Sequence, residues 1–143
     1  MPRYVVTVPS SKSARDAFVL MADMTTFPAW DPGISKVVQV VGSGPGADAV
    51  FDVSVGSIAG RPVTLRYETK EFVVDSRVLL VGKNSLFTSV DSIDITPTSS
   101  GCNITYDAKL TFNGLLAPMN LGLGLVFNKI GDRAAKGLRR VFA

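Results

Sequence analysis

The residues between Cys102 and Asn113 alternate without interruption between apolar and polar side chains. A period of two predicts a β-strand with one face in a core and the other face in water. The apolar positions are Cys102, Ile104, Tyr106, Ala108, Leu110 and Phe112.

Similar stretches fill the chain from Ile34 to Phe112, and they indicate six strands in this region. Short glycine- or proline-containing segments separate them, which suits antiparallel hairpins, because parallel strands need crossovers of about a dozen residues or more. The segment 4–8, which ends at a proline, predicts one further strand before the first helix. The separators are residues 42–46, 56–60, 82–84 and 97–101.

One of these stretches does not keep its alternation. Between Leu86 and Ile95 the apolar phase slips from Val90 to Ile93. Such a slip predicts a β-bulge near Asp91 and Ser92, which would bend the sheet and leave the direction of the Asp91 side chain open.

Two helical segments precede the sheet. Ala14, Ala17, Phe18 and Met21 follow the helical spacing, with Ser10 or Ser11 as the expected N-cap and an end near Asp23. Residues 25–32 contain two prolines and predict a short helical turn followed by a reversal.

After Gly114 the apolar period becomes helical and predicts a long amphipathic C-terminal helix. Pro118 is tolerated only in the first turn of a helix, so we expect the start near Leu116 or Ala117. Four glycines interrupt this helix. Gly131 and Gly137 favour close packing on the sheet, whereas Gly122 and Gly124 favour packing or cavity space equally. The apolar stripe is Leu116, Met119, Leu123, Phe127, Ile130, Ala134 and Leu138.

Length and composition limit the number of domains and the kinds of catalytic or metal site that this chain can form. The 143 residues, of which 46% are hydrophobic, predict a single globular domain over residues 1–143. There is no histidine and one cysteine, Cys102, so the sequence excludes histidine-based catalysis, an intramolecular disulfide and nearly all zinc sites. We therefore expect no metal and no cofactor.

A sheet with one apolar face must cover it, and the C-terminal helix is the long amphipathic element that remains. One straight helix covers seven strands evenly only if the sheet curls around it. Curling a twisted sheet leaves space between the two, and this space predicts a cavity lined by the apolar strand faces.

The order β-α-α-β6-α also resembles the START-like (SRPBCC) superfamily, and within it the polyketide cyclase/dehydrase and lipid-transport branch. The residues that carry the resemblance are Ala17-Phe18, Ala22-Asp23, Phe27-Pro28 and Trp30-Asp31-Pro32, followed by the sheet. The resemblance implies an α+β helix-grip fold, with a seven-stranded curved antiparallel sheet around a long C-terminal helix and a hydrophobic pocket between them. It marks a fold and not an activity.

We expect the domain to bind or transport a hydrophobic small molecule, such as a lipid, a fatty acyl or a polyketide-like compound, in that cavity. Trp30 is also expected as a plug between the short helices and the sheet, which is its commoner role. The candidate ligand-binding residues are Trp30, Phe51, Val53, Leu65, Tyr67, Phe87, Tyr106, Leu110, Leu123 and Phe127.

The first alternative is a cofactor-free cyclase, aromatase or dehydratase, which needs an acid and a base in a dry pocket. Without histidine, few side chains can act as the acid or the base. The alternation along its strand places Arg66 on the face that points to water. The pattern also shows no pair of converging interior carboxylates. We therefore assign no catalytic residue and favour a non-enzymatic carrier. A second alternative is a regulatory partner protein without a ligand. The acid–base candidates are Asp31, Arg66, Tyr67, Asp91 and Tyr106.

The net charge is +3, and the basic residues are clustered: five of the 15 lie between Lys129 and Arg140. This local face is narrower than the basic stripe of a nucleic-acid binder, so we expect no nucleic-acid partner. Lys129, Arg133, Lys136 and Arg140 either make transient contact with a membrane surface or, more commonly, stay hydrated and complement the helix dipole. The sequence leaves the oligomeric state, monomer or dimer, open.

The N-terminal residues lack the cationic and then apolar run of a signal peptide. The longest apolar stretch, residues 115–127, is shorter than the about 20 residues that a membrane span needs. We expect a cytoplasmic protein.

Overall fold

Seven antiparallel strands form one sheet in the computed structural model, which describes residues 3–58, 61–113 and 120–142. The side chains of residues 57, 58, 61, 62 and 120–127 are outside this description. The sheet order is β1-β7-β6-β5-β4-β3-β2, so β1 and β2 form the two edges. The strands are β1 (Arg3–Ser10), β2 (Ile34–Val41), β3 (Val50–Ile58), β4 (Arg61–Val73), β5 (Arg77–Lys83), β6 (Phe87–Thr98) and β7 (Gly101–Phe112).

Helix α1 (Ala14–Ala22) and a 3₁₀ helix (Met24–Ala29) join β1 to β2, as predicted. The expected cap at Ser10 or Ser11 is wrong, because β1 continues through Ser10. Ser13 caps the helix instead, and its hydroxyl accepts a hydrogen bond from the Asp16 amide at 3.1 Å. This contact satisfies an amide at the start of the helix that has no partner within it.

The predicted bulge near Asp91 and Ser92 is also wrong. β6 pairs in continuous register with both β5 and β7, from Phe87 to Thr98 on the β7 side. The phase of its inner face is therefore set by Ile93 and Ile95, which are buried, and the same phase places Ser89 and Asp91 inside. Irregular register occurs instead in β2, β3 and β4, for example between Thr69 and Glu71.

Helix α2 (Asn120–Phe142) packs mainly on edge strand β1 over its described part. The expected start at Leu116 or Ala117 falls outside the described residues. Gly131 and Gly137 are buried, and each lies where the helix approaches a neighbour closely. Gly131 packs on the sheet, as predicted, whereas Gly137 packs on the end of the 3₁₀ helix instead. A Cβ on Gly137 would overlap the backbone carbonyl of Trp30, and one on Gly131 would overlap the Tyr4 ring. Gly122 and Gly124 lie outside the described side chains.

The core lies between the inner sheet face, the two N-terminal helices and the C-terminal half of α2, which contributes Ala134, Leu138 and Phe142. Fully buried side chains from α1 and the 3₁₀ helix, such as Met21 and Phe27, pack with Phe51, Leu80 and Ile104 from the sheet. Within the described part of the chain, no helix has the length and apolar character that a membrane crossing requires.

Candidate ligand-binding site

A cavity of about 530 Å³ opens on the inner face of the sheet, beyond the part covered by the N-terminal helices. Its volume falls in the range of about 300–1,000 Å³ that is common for small-molecule sites. β3, β4, β6 and β7 all contribute to its predominantly apolar lining, and α2 contributes Ile130. The main apolar lining residues of the strands are Val55, Val63, Leu65, Phe87, Leu110 and Phe112.

One patch of this lining is polar, and Asp91 is its centre. Asp91 is 4% exposed, and it accepts hydrogen bonds from the Ser89 hydroxyl at 2.9 Å and from the Tyr106 hydroxyl at 2.5 Å. Ser89 and Asp91 are two residues apart on β6, so they share a face. Ala108 lies opposite Asp91 on β7, and its small side chain leaves room beside the carboxylate.

Burial raises the pKa of Asp91 from 3.8 to about 6, although the hydrogen bonds from Tyr106 and Ser89 favour the charged form. The nearby Asp31 carboxylate raises this pKa further. Near neutral pH, Asp91 is thus mostly ionised but close enough to its pKa to exchange a proton, which is the property of a useful acid or base.

Tyr67 lies beside this patch because of a glycine on the neighbouring strand. Gly82 is the cross-strand partner of Tyr67, and a Cβ at Gly82 would stand 2.6 Å from the Tyr67 ring. The ring therefore lies directly over the Gly82 backbone. Burial and the Asp91 charge raise the pKa of Tyr67 well above 10.0, so its hydroxyl stays protonated.

Asp31 supplies a second carboxylate to the same lining. It follows the 3₁₀ helix, and its Oδ1 accepts a hydrogen bond from the Gly33 amide at 2.9 Å. Burial raises the pKa of Asp31, and the Gly33 amide partly opposes this. The sequence pattern shows no pair of interior carboxylates, but the folded chain places Asp31 and Asp91 in the lining of one cavity.

The predicted ligand-binding residues divide into three groups. Leu65, Tyr67, Phe87, Tyr106 and Leu110 line the cavity. Contact of any of them with a ligand stays a prediction.

The second group lies beside the cavity and not in its described lining. Phe51 and Val53 are fully buried on β3, in the core that the 3₁₀ helix helps to cover. Trp30 is 2% exposed and packs against Phe27 and against Tyr106, with ring centroids 4.7 and 5.6 Å apart. Trp30 therefore fills the space between the 3₁₀ helix and the sheet and packs against the Tyr106 ring.

The third group, Leu123 and Phe127, lies on α2 where the side chains are outside the described residues. Arg66, a candidate for the enzymatic alternative, lies on the outer sheet face in an ion pair with Asp52. It is remote from the cavity, as its phase predicted. The basic side chains of α2, Lys129, Arg133, Lys136 and Arg140, are exposed, and their contact with a membrane stays a prediction.

Sequence reasoning missed Ser89 altogether and left Asp91 undecided. The available signal was the phase of Ile93 and Ile95, which extends back to Asp91, Ser89 and Phe87 at steps of two. Val90 obscured it, because an apolar residue on the outer face imitates a change of phase.

Comparison with known proteins agrees with this architecture. The family model described as polyketide cyclase/dehydrase and lipid transport matches residues 1–143. The chain belongs to this family. No curated protein matches the sequence.

Solved structures share the fold of this family member at low sequence identity. A START superfamily protein from Mycobacterium smegmatis is 15% identical, with a TM-score of 0.73 over 98% of this chain and 94% of that chain. The protein TTHA0849 from Thermus thermophilus is 13% identical, with a TM-score of 0.72 over 97% and 94% of the two chains. These likenesses establish the START-like, helix-grip fold.

A third similar structure is the di-domain ARO/CYC StfQ from the steffimycin biosynthetic pathway. It is 14% identical, with a TM-score of 0.71, and the match covers 99% of this chain but 50% of StfQ. This chain therefore spans half of the length of that di-domain protein.

Proposed function

We propose that this protein binds, and thereby carries, a mainly apolar small molecule in the cavity between β3, β4, β6, β7 and helix α2. The observation that supports this best is the size and chemistry of the cavity: about 530 Å³, with a lining that is apolar except for one patch. Transfer of a ligand methylene from water into such a site contributes about 0.8 kcal/mol.

The polar patch has a separate role in this proposal. Apolar burial is not directional, so the lining alone does not orient a ligand. Asp91, held by Ser89 and Tyr106, offers a fixed acceptor on one wall, so a ligand with one polar group binds in a single orientation.

Filling the cavity from β7 tests this proposal. Ala108→Phe places a ring in the lining, so we expect the affinity for the neutral, apolar fluorophore N-phenyl-1-naphthylamine to fall about tenfold, which is about 1.4 kcal/mol. The affinity is measured by fluorescence titration.

The matched control is Val38→Phe, which also adds a ring but on an edge-strand position that is 43% exposed. It should leave the affinity unchanged. Equal affinity of both variants, each folded by circular dichroism, would show that the fluorophore binds elsewhere.

A second candidate is an enzyme of the cyclase or dehydratase type, and a specific observation favours it. Asp91, with a pKa of about 6, and the protonated hydroxyls of Tyr67 and Tyr106 face one apolar space. An acid and a base in a dry pocket are what proton abstraction next to a carbonyl requires.

The two candidates differ in what leaves the cavity. A carrier releases its ligand unchanged, whereas a dehydratase releases it without one molecule of water. Mass spectrometry of a bound ligand before and after incubation distinguishes them, and replacement of Asp91 by asparagine should abolish the enzymatic change.

A further inference from the structure

We infer that the natural ligand carries a protonated amine on an apolar body, and that this amine binds the Asp91 carboxylate. The inference rests on the proposed binding function and specifies its ligand class.

The Asp91 carboxylate has unused hydrogen-bonding capacity. An ionised carboxylate offers about four lone-pair positions. Ser89 occupies one on Oδ1 and Tyr106 one on Oδ2, so each oxygen keeps a position for a further donor. Asp91 belongs to the cavity lining, where a ligand reaches it.

The described cavity wall carries acidic side chains and no basic ones. The described lining contains two carboxylates, Asp31 and Asp91, and no lysine or arginine. Residues 114–127, which include the first eight residues of α2, contain no ionisable side chain. The side chain of Arg61 on β4 lies outside the described residues. Ion pairs occur on the outer face instead, as between Arg66 and Asp52 or between Arg77 and Asp94.

A buried carboxylate without a cationic partner is costly, and a bound cation removes that cost. The attraction between a ligand ammonium group and Asp91 would therefore be stronger in the cavity than the attraction between the same two charges in water. A ligand carboxylate would instead be repelled by the Asp91 carboxylate. A ligand hydroxyl would gain one hydrogen bond but no charge pairing.

A matched series of ligands tests the inference. Octylamine, 1-octanol and octanoate share one apolar chain and differ in the charge of the head group. Displacement of N-phenyl-1-naphthylamine from the wild-type protein at pH 7.5 measures their affinities. We expect octylamine to bind about tenfold more tightly than octanol, and octanoate to bind most weakly.

Two variants locate the effect. Asp91→Asn should remove the preference for octylamine over octanol, while octanol keeps its affinity. Asp16→Asn removes the same charge from an exposed position on α1 and should leave the preference intact. If Asp91→Asn does not fold, a fall in octylamine binding below pH 6, with octanol binding unchanged, provides the same readout in the wild-type protein, because protonation of Asp91 removes the charge pairing.

The outcomes separate this inference from the proposed function. Octanol bound as tightly as octylamine, or octanoate bound most tightly, would overturn the amine while keeping a binding cavity. A preference that persists in Asp91→Asn would overturn the assignment to Asp91. Failure of all three compounds to displace the fluorophore would overturn the proposed function itself.

Discussion

Replacement of Gly137 by alanine is expected to lower the free energy of unfolding by about 3 kcal/mol, although alanine is the better helix former. A Cβ at this position would overlap the carbonyl oxygen of Trp30, which is backbone and has little freedom to move. The helix must therefore move away from the 3₁₀ helix end, and buried contacts of α2 are lost. Urea denaturation measures the change.

Gly131→Ala is the matched control for this prediction. Its Cβ would meet the ring of Tyr4, which is a side chain and not backbone, and whose hydroxyl donates a hydrogen bond to Asp132. We expect a smaller loss than for Gly137→Ala, about 1–2 kcal/mol. If Gly137→Ala instead stabilises the protein by about 0.5–1 kcal/mol, as for a helix glycine with open space, the close approach of α2 is refuted.

The second large effect concerns Asp91 and pH. Because its pKa is raised from 3.8 to about 6 on folding, the folded state binds the proton more tightly than the unfolded state. Stability should therefore fall as the pH rises from about 4 to about 6, and remain lower above that range. The full difference is about 3 kcal/mol, since one pKa unit corresponds to about 1.4 kcal/mol.

Asp91→Asn should remove most of this fall and increase the stability at pH 7.5. Burial raises the pKa of Asp31 too, so a smaller slope of the same sign should remain. Asp52 and Asp107 act oppositely, because hydrogen bonds from arginines lower their pKa values, and their contribution is lost on acidification below about pH 4. Urea denaturation between pH 4.5 and 7.5 measures the slope. A pH-independent wild-type stability in this window would contradict the burial of Asp91.

Asp91 lowers the free energy of unfolding at neutral pH, so its presence at this position is not explained by stability. An asparagine at this position would keep an acceptor for Tyr106 without the charge. Residues that lower stability in this way are typical of functional sites, where the property that destabilises the protein is also the one that binds or reacts. The stability cost of Asp91 therefore also favours Asp91 as the residue that binds the ligand head group.

The architecture was predictable because several independent patterns agree. The alternation of Cys102 to Phe112, the turn residues between strands and the helical period after Gly114 each specify one element, and together they leave one arrangement. The close-packed Gly131 and Gly137 were also predictable, since a buried helix glycine is otherwise a cost.

The polar patch was not predictable, because here the local sequence pattern disagrees with the fold. Ser89 and Asp91 break the apolar pattern of β6 at the point where the cavity needs polar groups, so the pattern suggested a bulge. Asp31 comes from a different part of the chain, and only the folded sheet brings it to the same space as Asp91. Prediction from the local alternation of apolar and polar residues fails where a functional site needs polar side chains on the apolar face.

Native mass spectrometry of freshly purified protein tests the central claim most directly, namely that the cavity between sheet and helix holds a mainly apolar molecule. The spectrum should show the protein together with one added mass, and extraction with organic solvent should remove that mass. The extracted protein should then take up octylamine at one equivalent, and Ala108→Phe should take up less. A bare protein mass before extraction, together with no uptake of octylamine or octanol afterwards, would contradict the account.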